Sequence, residues 1–222
     1  MITIRPAAER GKANHDWLDS RFSFSFDQYH DPAHMGYRAL RVINDDVIAP
    51  GGGFPMHPHR DMEIITWMLE GALEHRDSLG NGGVIHPGDA QYMSAGTGIR
   101  HSEFNASKDE PAHLLQVWIM PDSKGKQPLY GQRSMASQLT PGNLAKVVEF
   151  SAATVYAARF SEGDSATHEL SAGRHAWIQI GRGEVEVNGV TLSKGDGAAV
   201  EGESALRISA ASPAEFLLFD LD

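Results

Sequence analysis

The 222-residue chain contains no cysteine. That excludes disulfides, thiolate metal ligands and a cysteine nucleophile, and it is compatible with a reducing compartment. No apolar run approaches the ~20 residues that a membrane span needs. The first residues, Met1-Ile2-Thr3-Ile4-Arg5, are too polar for a secretory signal. The expectation is a cytoplasmic protein. Positive charge is scarce: 19 Lys and Arg stand against 29 Asp and Glu, a formal net charge of −10. Such a surface repels phosphate and anionic lipid. The nearest thing to a basic cluster, Lys124-Gly125-Lys126, reads as a solvated loop. Direct nucleic-acid binding and membrane attachment are therefore not expected. Helical signals are also few. Asp61 to Glu70 can be drawn as a helix, but Ile64-Ile65-Thr66-Trp67 is rich in strand formers. Ser134 to Leu139 reads as a short helical turn in a linker.

What is present is the punctuation of an all-β protein. Twenty-three glycines and 11 prolines separate short apolar runs: Ala39 to Ile43, Ile64 to Leu69, Leu114 to Met120, Val155 to Phe160, Trp177 to Ile180 and Phe216 to Phe219. Each has strand length and ends at turn residues. Glu184 to Asn188 alternates with period two. Asn188-Gly189 is a hairpin signal, because a type I′ turn needs φ > 0 at both central residues. Gly80-Asn81-Gly82-Gly83 reads the same way. Hydrophobic residues at 41% and charged residues at 22% are ordinary for globular folding. At about 100–200 residues per domain, the length allows one large domain or two small ones.

A weak internal duplication favours two. Glu70-Gly71-Ala72-Leu73-Glu74-His75 precedes Pro87-Gly88-Asp89, and Gly181-Arg182-Gly183-Glu184-Val185-Glu186-Val187 precedes Lys194-Gly195-Asp196. The pattern suggests two barrels in tandem. The boundary is placed near 135–145, giving units of 1–138 and 139–222.

The chemistry concentrates in two stretches. In Gly51-Gly52-Gly53-Phe54-Pro55-Met56-His57-Pro58-His59, the two histidines are spaced i, i+2 and share one face of a strand. Pro58 stiffens the segment between them. In Gly96-Thr97-Gly98-Ile99-Arg100-His101-Ser102-Glu103, His101 and Glu103 repeat the spacing. A lone His-x-His is usually polar surface, and a lone His-x-Glu says still less. Two pairs with glycine-rich approaches point to one metal ion held by His57, His59, His101 and Glu103. Three imidazoles and a carboxylate suit Zn, Fe, Ni, Cu, Co or Mn. Six-fold coordination would leave two positions open for chemistry.

These residues also carry a resemblance. Gly51, His57, His59, Glu63 and Gly71 follow the first cupin motif, with one extra residue before the last glycine. Gly88, Gly96, His101 and Asn105 resemble the second. There, Ser94 stands where proline is usual and two extra residues precede the histidine. Those departures are similar to the pirin family. So is the wording of Asn14-His15, Trp17-Leu18-Asp19-Ser20, Phe22-Ser23-Phe24, Leu40 to Asp46, His57-Pro58-His59, Met62-Glu63, Glu74-His75, Asp77-Ser78 and Ser94 to Glu103. The match is dense over the first 120 residues and thin afterwards, and it most resembles the bacterial pirins that act as quercetin 2,3-dioxygenases.

The resemblance implies an all-β bicupin of two jelly-roll barrels, the N-terminal one holding metal, usually Fe(II), and the C-terminal one none. It assigns the ligands to His57, His59, His101 and Glu103, with Glu63 supporting rather than ligating. It implies a metal-dependent ring-cleaving dioxygenase taking a flavonol-like aromatic substrate and O₂, with Glu103 as both ligand and general base. Met56, Phe54, Phe104 and Trp118 are candidates for an apolar wall. A second reading is an iron-containing, redox-sensitive regulator that binds a protein partner without turnover. A third, a sugar isomerase, lacks the basic pocket a sugar phosphate would need, and a metal-free relic barrel would not keep all four ligands. Of the other histidines, His75 and His113 read as hydrogen-bonded structural residues. His15, His30 and His34 read as surface or packing residues, and His168 and His175 are isolated.

Overall fold

The computed structural model describes all 222 residues. Nearly all regular structure is strand, with one short 3₁₀ turn at Ala7–Glu9. No helix is long and apolar enough to cross a membrane. Asp61 to Glu70, the segment with a helical alternative, contributes the strand Glu63–Glu70, buried on both faces except at its end. That double burial explains its continuous apolar run. Ser134 to Leu139 yields a single turn, with the Gln138 and Leu139 amides both donating to the Met135 carbonyl.

The chain forms two compact units. One comprises residues 11–36 and 40–134. Its larger sheet has seven antiparallel strands, ordered Leu129–Ser134, Asp89–Ser94, Glu63–Glu70, Ala112–Ile119, Leu40–Ile48, Leu18–Phe22 and Gly11–His15. Its smaller sheet has four, ordered Gly53–His59, Ile99–Asn105, Leu73–Asp77 and Gly82–Ile85. The other unit comprises residues 1–10, 37–39 and 135–222, again a six-stranded sheet and a four-stranded sheet. A single cut at 138/139 does not describe this division, because Ile2–Arg5 pairs antiparallel with Gly197–Val200. That strand completes the second unit's sheet across almost the whole chain, a pairing with no local signature.

The second unit's interior is packed with apolar side chains, among them Phe160, Ile178, Ile180, Phe216 and Leu218. At its Glu184–Val187 to Val190–Ser193 hairpin, Asn188 has φ 47° and Gly189 φ 84°, as a type I′ turn requires. The Gly80 region also makes a hairpin, but a longer one. Asp77 Oδ1 accepts from the amides of Leu79 and Asn81, and an Asx-type cap replaces the two-residue turn.

The duplication is real in detail. At Gly71 a Cβ would lie 2.5 Å from the Pro111 carbonyl oxygen and 2.9 Å from Ala112 Cα; at Gly183 it would lie 2.0 Å from the Pro213 oxygen and 2.8 Å from Ala214 Cα. In each unit a positive-φ glycine passes under a Pro-Ala step. Asp89 Oδ2 accepts from the His86 amide and Asp196 Oδ2 from the Ser193 amide, so the two Gly-Asp turns are capped alike.

Candidate metal centre and its cavity

His57 and His59 come from Gly53–His59, and His101 and Glu103 from the adjacent strand Ile99–Asn105. The register pairs His101 with His57 but Glu103 with Phe54. An extra residue is therefore accommodated at Pro55-Met56, a bulge of the kind that re-aims side chains near sites. The Pro55 carbonyl lies 2.8 Å from His57 Nδ1. A carbonyl only accepts, so Nδ1 carries a proton and Nε2 is the nitrogen left to meet a metal. The close approach of the two strands depends on Gly53, where a Cβ would sit 2.3 Å from the Glu103 carbonyl oxygen.

The three imidazoles converge. Their ring centroids are 4.4 to 4.8 Å apart, and one ring nitrogen from each lies within 4.8 Å of the others. His59 Nε2 and both nitrogens of His101 are buried without a hydrogen-bond partner. Burial, then the neighbouring imidazoles, pushes His59 and His101 down to about 3. These two rings are neutral and present lone pairs, the form that binds metal. Unpartnered buried nitrogens are costly, and a metal ion would satisfy one on His59 and one on His101 at once, with a ring nitrogen of His57 as the third ligand. The residues fit a metal.

Glu103 is 2% exposed. Gln116 Nε2 donates to its Oε2 at 2.9 Å and Thr66 Oγ1 to its Oε1 at 3.4 Å. Its Oε2 lies 3.9 Å from His101 Nε2. Burial pushes this carboxyl above the usual range, against the pull of Gln116 and nearby histidines. Glu63 is elsewhere engaged: Ser94 Oγ donates to its Oε1 at 3.0 Å.

A cavity of about 360 Å³ opens onto His57, His59 and Glu103, within the usual range for small-molecule sites. Of the expected wall, Phe54 and Trp118 line it; Met56 and Phe104 do not, being 44% and 37% exposed. Both lie on strand positions that turn away from the barrel. Three further aromatics, Trp17, Phe22 and Phe26, complete the wall; nothing local in the sequence marks them as cavity residues. Trp17 meets Phe54 edge-on at 4.9 Å, and Phe26 meets Trp118 edge-on at 5.4 Å. His15, read as a surface or packing residue, also lines the cavity. Ser20, Asn44, Asp46 and Gln116 supply polar lining. For Asn44 and Asp46 a signal was available: an Asn-Asp-Asp run inside the otherwise largely apolar strand Leu40–Ile48, with positions 44 and 46 on one face.

The remaining histidines divide. His113 Nε2 pairs with Asp45 at 2.6 Å, as a structural histidine should. His75 differs from the reading given it: both ring nitrogens are buried without a partner. Its ring instead stacks on Tyr130 at 4.8 Å and meets His101 edge-on at 5.3 Å. It packs behind the metal site rather than lining the cavity.

Comparison with known proteins bears on this site. The family description Pirin matches residues 3–119. The chain belongs to the pirin family. The description Quercetinase C-terminal cupin domain matches residues 148–221, so both barrels of this pirin are cupin-type. The chain is 47% identical to the Escherichia coli K12 quercetin 2,3-dioxygenase, over 100% of the chain and 99% of that protein. The crystal structure of YhhW from E. coli superposes with a TM-score of 0.94 at 47% identity, covering 100% and 98% of the two chains. A second structure, of the bacterial pirin YhhW from E. coli in complex with nickel(II), gives a TM-score of 0.89 at 48% identity, covering 100% and 99%.

Proposed function

We propose that this pirin is a metal-dependent dioxygenase that opens the ring of a flavonol-type substrate with O₂. The observation that carries the reading is the convergence of three imidazoles, with the buried carboxyl of Glu103 beside them, next to an aromatic-walled cavity. The names of its close relatives support it. His57, His59 and His101, with Glu103, would hold the ion. Fe(II) is the first candidate on cellular supply, and nickel is accepted by the same ligands. When bound, the metal supplies Lewis acidity toward the substrate's enolic oxygen and access to oxygen chemistry.

The chain's own residues do the rest. Glu103 accepts the enolic proton at its carboxylate. Burial raises its basicity toward that task, while Gln116 and Thr66 hold both oxygens in place. Gln116 is itself held, its carbonyl accepting from Trp118 Nε1 at 3.3 Å. Phe54, Trp118, Phe26 and Trp17 form faces and edges for a flat ring and displace water from it. Overall, both atoms of O₂ enter the substrate and one ring carbon leaves as carbon monoxide.

The test is oxygen uptake and carbon monoxide release by iron- and nickel-loaded protein given quercetin. Both gases are expected to change in proportion, and His101→Ala is expected to be silent. Glu103→Gln is expected to lose at least about a hundredfold in turnover, the usual scale for a general base; full activity in that variant would remove Glu103 from the base role. Bound metal without turnover would replace the enzyme reading with that of a partner-binding regulator.

A further inference from the structure

Three polar groups in the cavity are not used by the metal centre. Asn44 and Asp46 sit two apart on the strand Leu40–Ile48 and so share its inner face. Asn44 is 4% exposed, and its Oδ1 has no hydrogen-bond partner. Asp46 is buried, and Ser20, opposite it in the register, donates its hydroxyl to Asp46 Oδ1. Asn44 is paired in register with Gln116, which is paired with Thr66. The row is polar across three strands, but its members differ in commitment. Thr66 and Gln116 are turned toward Glu103. Asn44 lies one strand further, about 5 Å, with its oxygen uncommitted.

Nothing in the barrel architecture calls for this. The inner face of the other unit is filled by Ala158, Phe160, Ile178, Ile180, Phe216 and Leu218, and an apolar face there buries no unsatisfied group. A polar atom kept in a desolvated wall without a partner, as Asn44 Oδ1 is, marks a place where a ligand supplies one.

We propose that Asn44 and Asp46, with Ser20, form a recognition subsite for a hydroxyl or carbonyl on the end of a flat aromatic substrate remote from its metal-binding oxygens. The proposal deepens the dioxygenase reading and rests on it. Asn44 and Asp46 act as positioning residues. The group recognised is neutral, because the cavity is lined by Asp27, Asp46 and Glu103 and by no Lys or Arg. A carboxylate or phosphate in this cavity would meet those carboxyl groups and no Lys or Arg. Burial pushes Asp46 up to about 7, so near neutral pH its carboxyl both donates and accepts, which matches a phenolic hydroxyl.

The test is equilibrium binding, read by titration calorimetry under nitrogen with nickel-loaded protein, so that turnover does not enter. The probes are quercetin and 3-hydroxyflavone, which lacks quercetin's additional hydroxyls. The wild type is expected to bind quercetin about tenfold or more tightly than 3-hydroxyflavone, the scale of one well-made hydrogen bond. Asn44→Leu and Asp46→Leu are each expected to bring that ratio toward one, with metal content checked in the same samples. Asn44→Ala and Asp46→Ala repeat the measurement if the larger side chains prevent folding. An undiminished ratio in folded, metal-loaded variants overturns the subsite, as does a wild type that binds both probes equally. Either result leaves the dioxygenase reading standing. A wild type that binds neither probe defeats the dioxygenase reading, and the subsite with it.

Discussion

At the scale of residues, the cavity's acid–base behaviour comes from burial. Asp46 has no cation beside it; its Ser20 bond lowers it, but burial dominates and holds it at about 7, against 3.8 for an ordinary aspartate. The folded protein therefore keeps a proton that the unfolded chain releases between those values. Where the folded state binds more protons, stability falls as pH rises. Asp46→Asn keeps the acceptor for Ser20 and removes the titration. Relative to wild type, Asp46→Asn is expected to gain stability as pH rises from about 4 through about 7, by on the order of a few kcal/mol at most. Urea midpoints of both proteins at pH 5 and pH 8 check this; a constant difference would mean that Asp46 is not held protonated. His59 and His101 work in the opposite sense. Both are held at about 3, so below pH 6.5 the unfolded state gains protons that the folded rings refuse, and stability is lost on acidification. Comparing variants rather than pH values alone keeps the two effects apart.

At the scale of elements, the metal centre is an agreement between two strands. Gly53–His59 and Ile99–Asn105 each bring one i, i+2 pair, and the bulge at Pro55-Met56 adjusts the first against the second. Gly53 lets them meet. In Gly53→Ala the new methyl would lie 2.3 Å from the Glu103 oxygen and 2.5 Å from Phe104 Cα, both backbone atoms that no rotamer change can move. The variant is expected to lose about 1–3 kcal/mol of stability, as overpacked sites do. It is also expected to bind nickel about tenfold or more weakly, because the strands carrying His57 and His101 are forced apart. Denaturant midpoints and competition titration with a chelator read the two effects. Nickel affinity equal to wild type would show that the strand spacing does not set the site. Elements were the most legible level of this sequence. Period-two alternation, Asn188-Gly189 and the paired Gly-Asp turns are local signals with local causes. The Asp61 to Glu70 segment left a helical alternative because burial on both faces of Glu63–Glu70 removes the alternation that would have marked a strand.

At the scale of the molecule, the metal is expected to act as a stabiliser. A ligand that binds only the folded state adds about 2.7 kcal/mol at a hundredfold excess over its Kd. Nickel is therefore expected to raise the thermal midpoint by several degrees, a chelator to reverse the rise, and His101→Ala to show no rise at all. A metal-induced shift that persists in His101→Ala would place the ion elsewhere.

The sequence by itself determined the all-β class, the two-fold repetition and the four candidate ligands. Strand alternation, turn glycines and ligand spacing each act within a few residues. Only the tertiary structure decided the rest. It paired Ile2–Arg5 with Gly197–Val200 and gathered Trp17, Phe26, Asn44 and Trp118 around one cavity. It turned Met56 and Phe104 outward and left the ring nitrogens of His75 buried without a hydrogen-bond partner. Contacts between residues far apart in the chain leave no periodicity to read, and whether a polar side chain on a strand meets water, a partner or a cavity is settled by what the opposite sheet places in front of it.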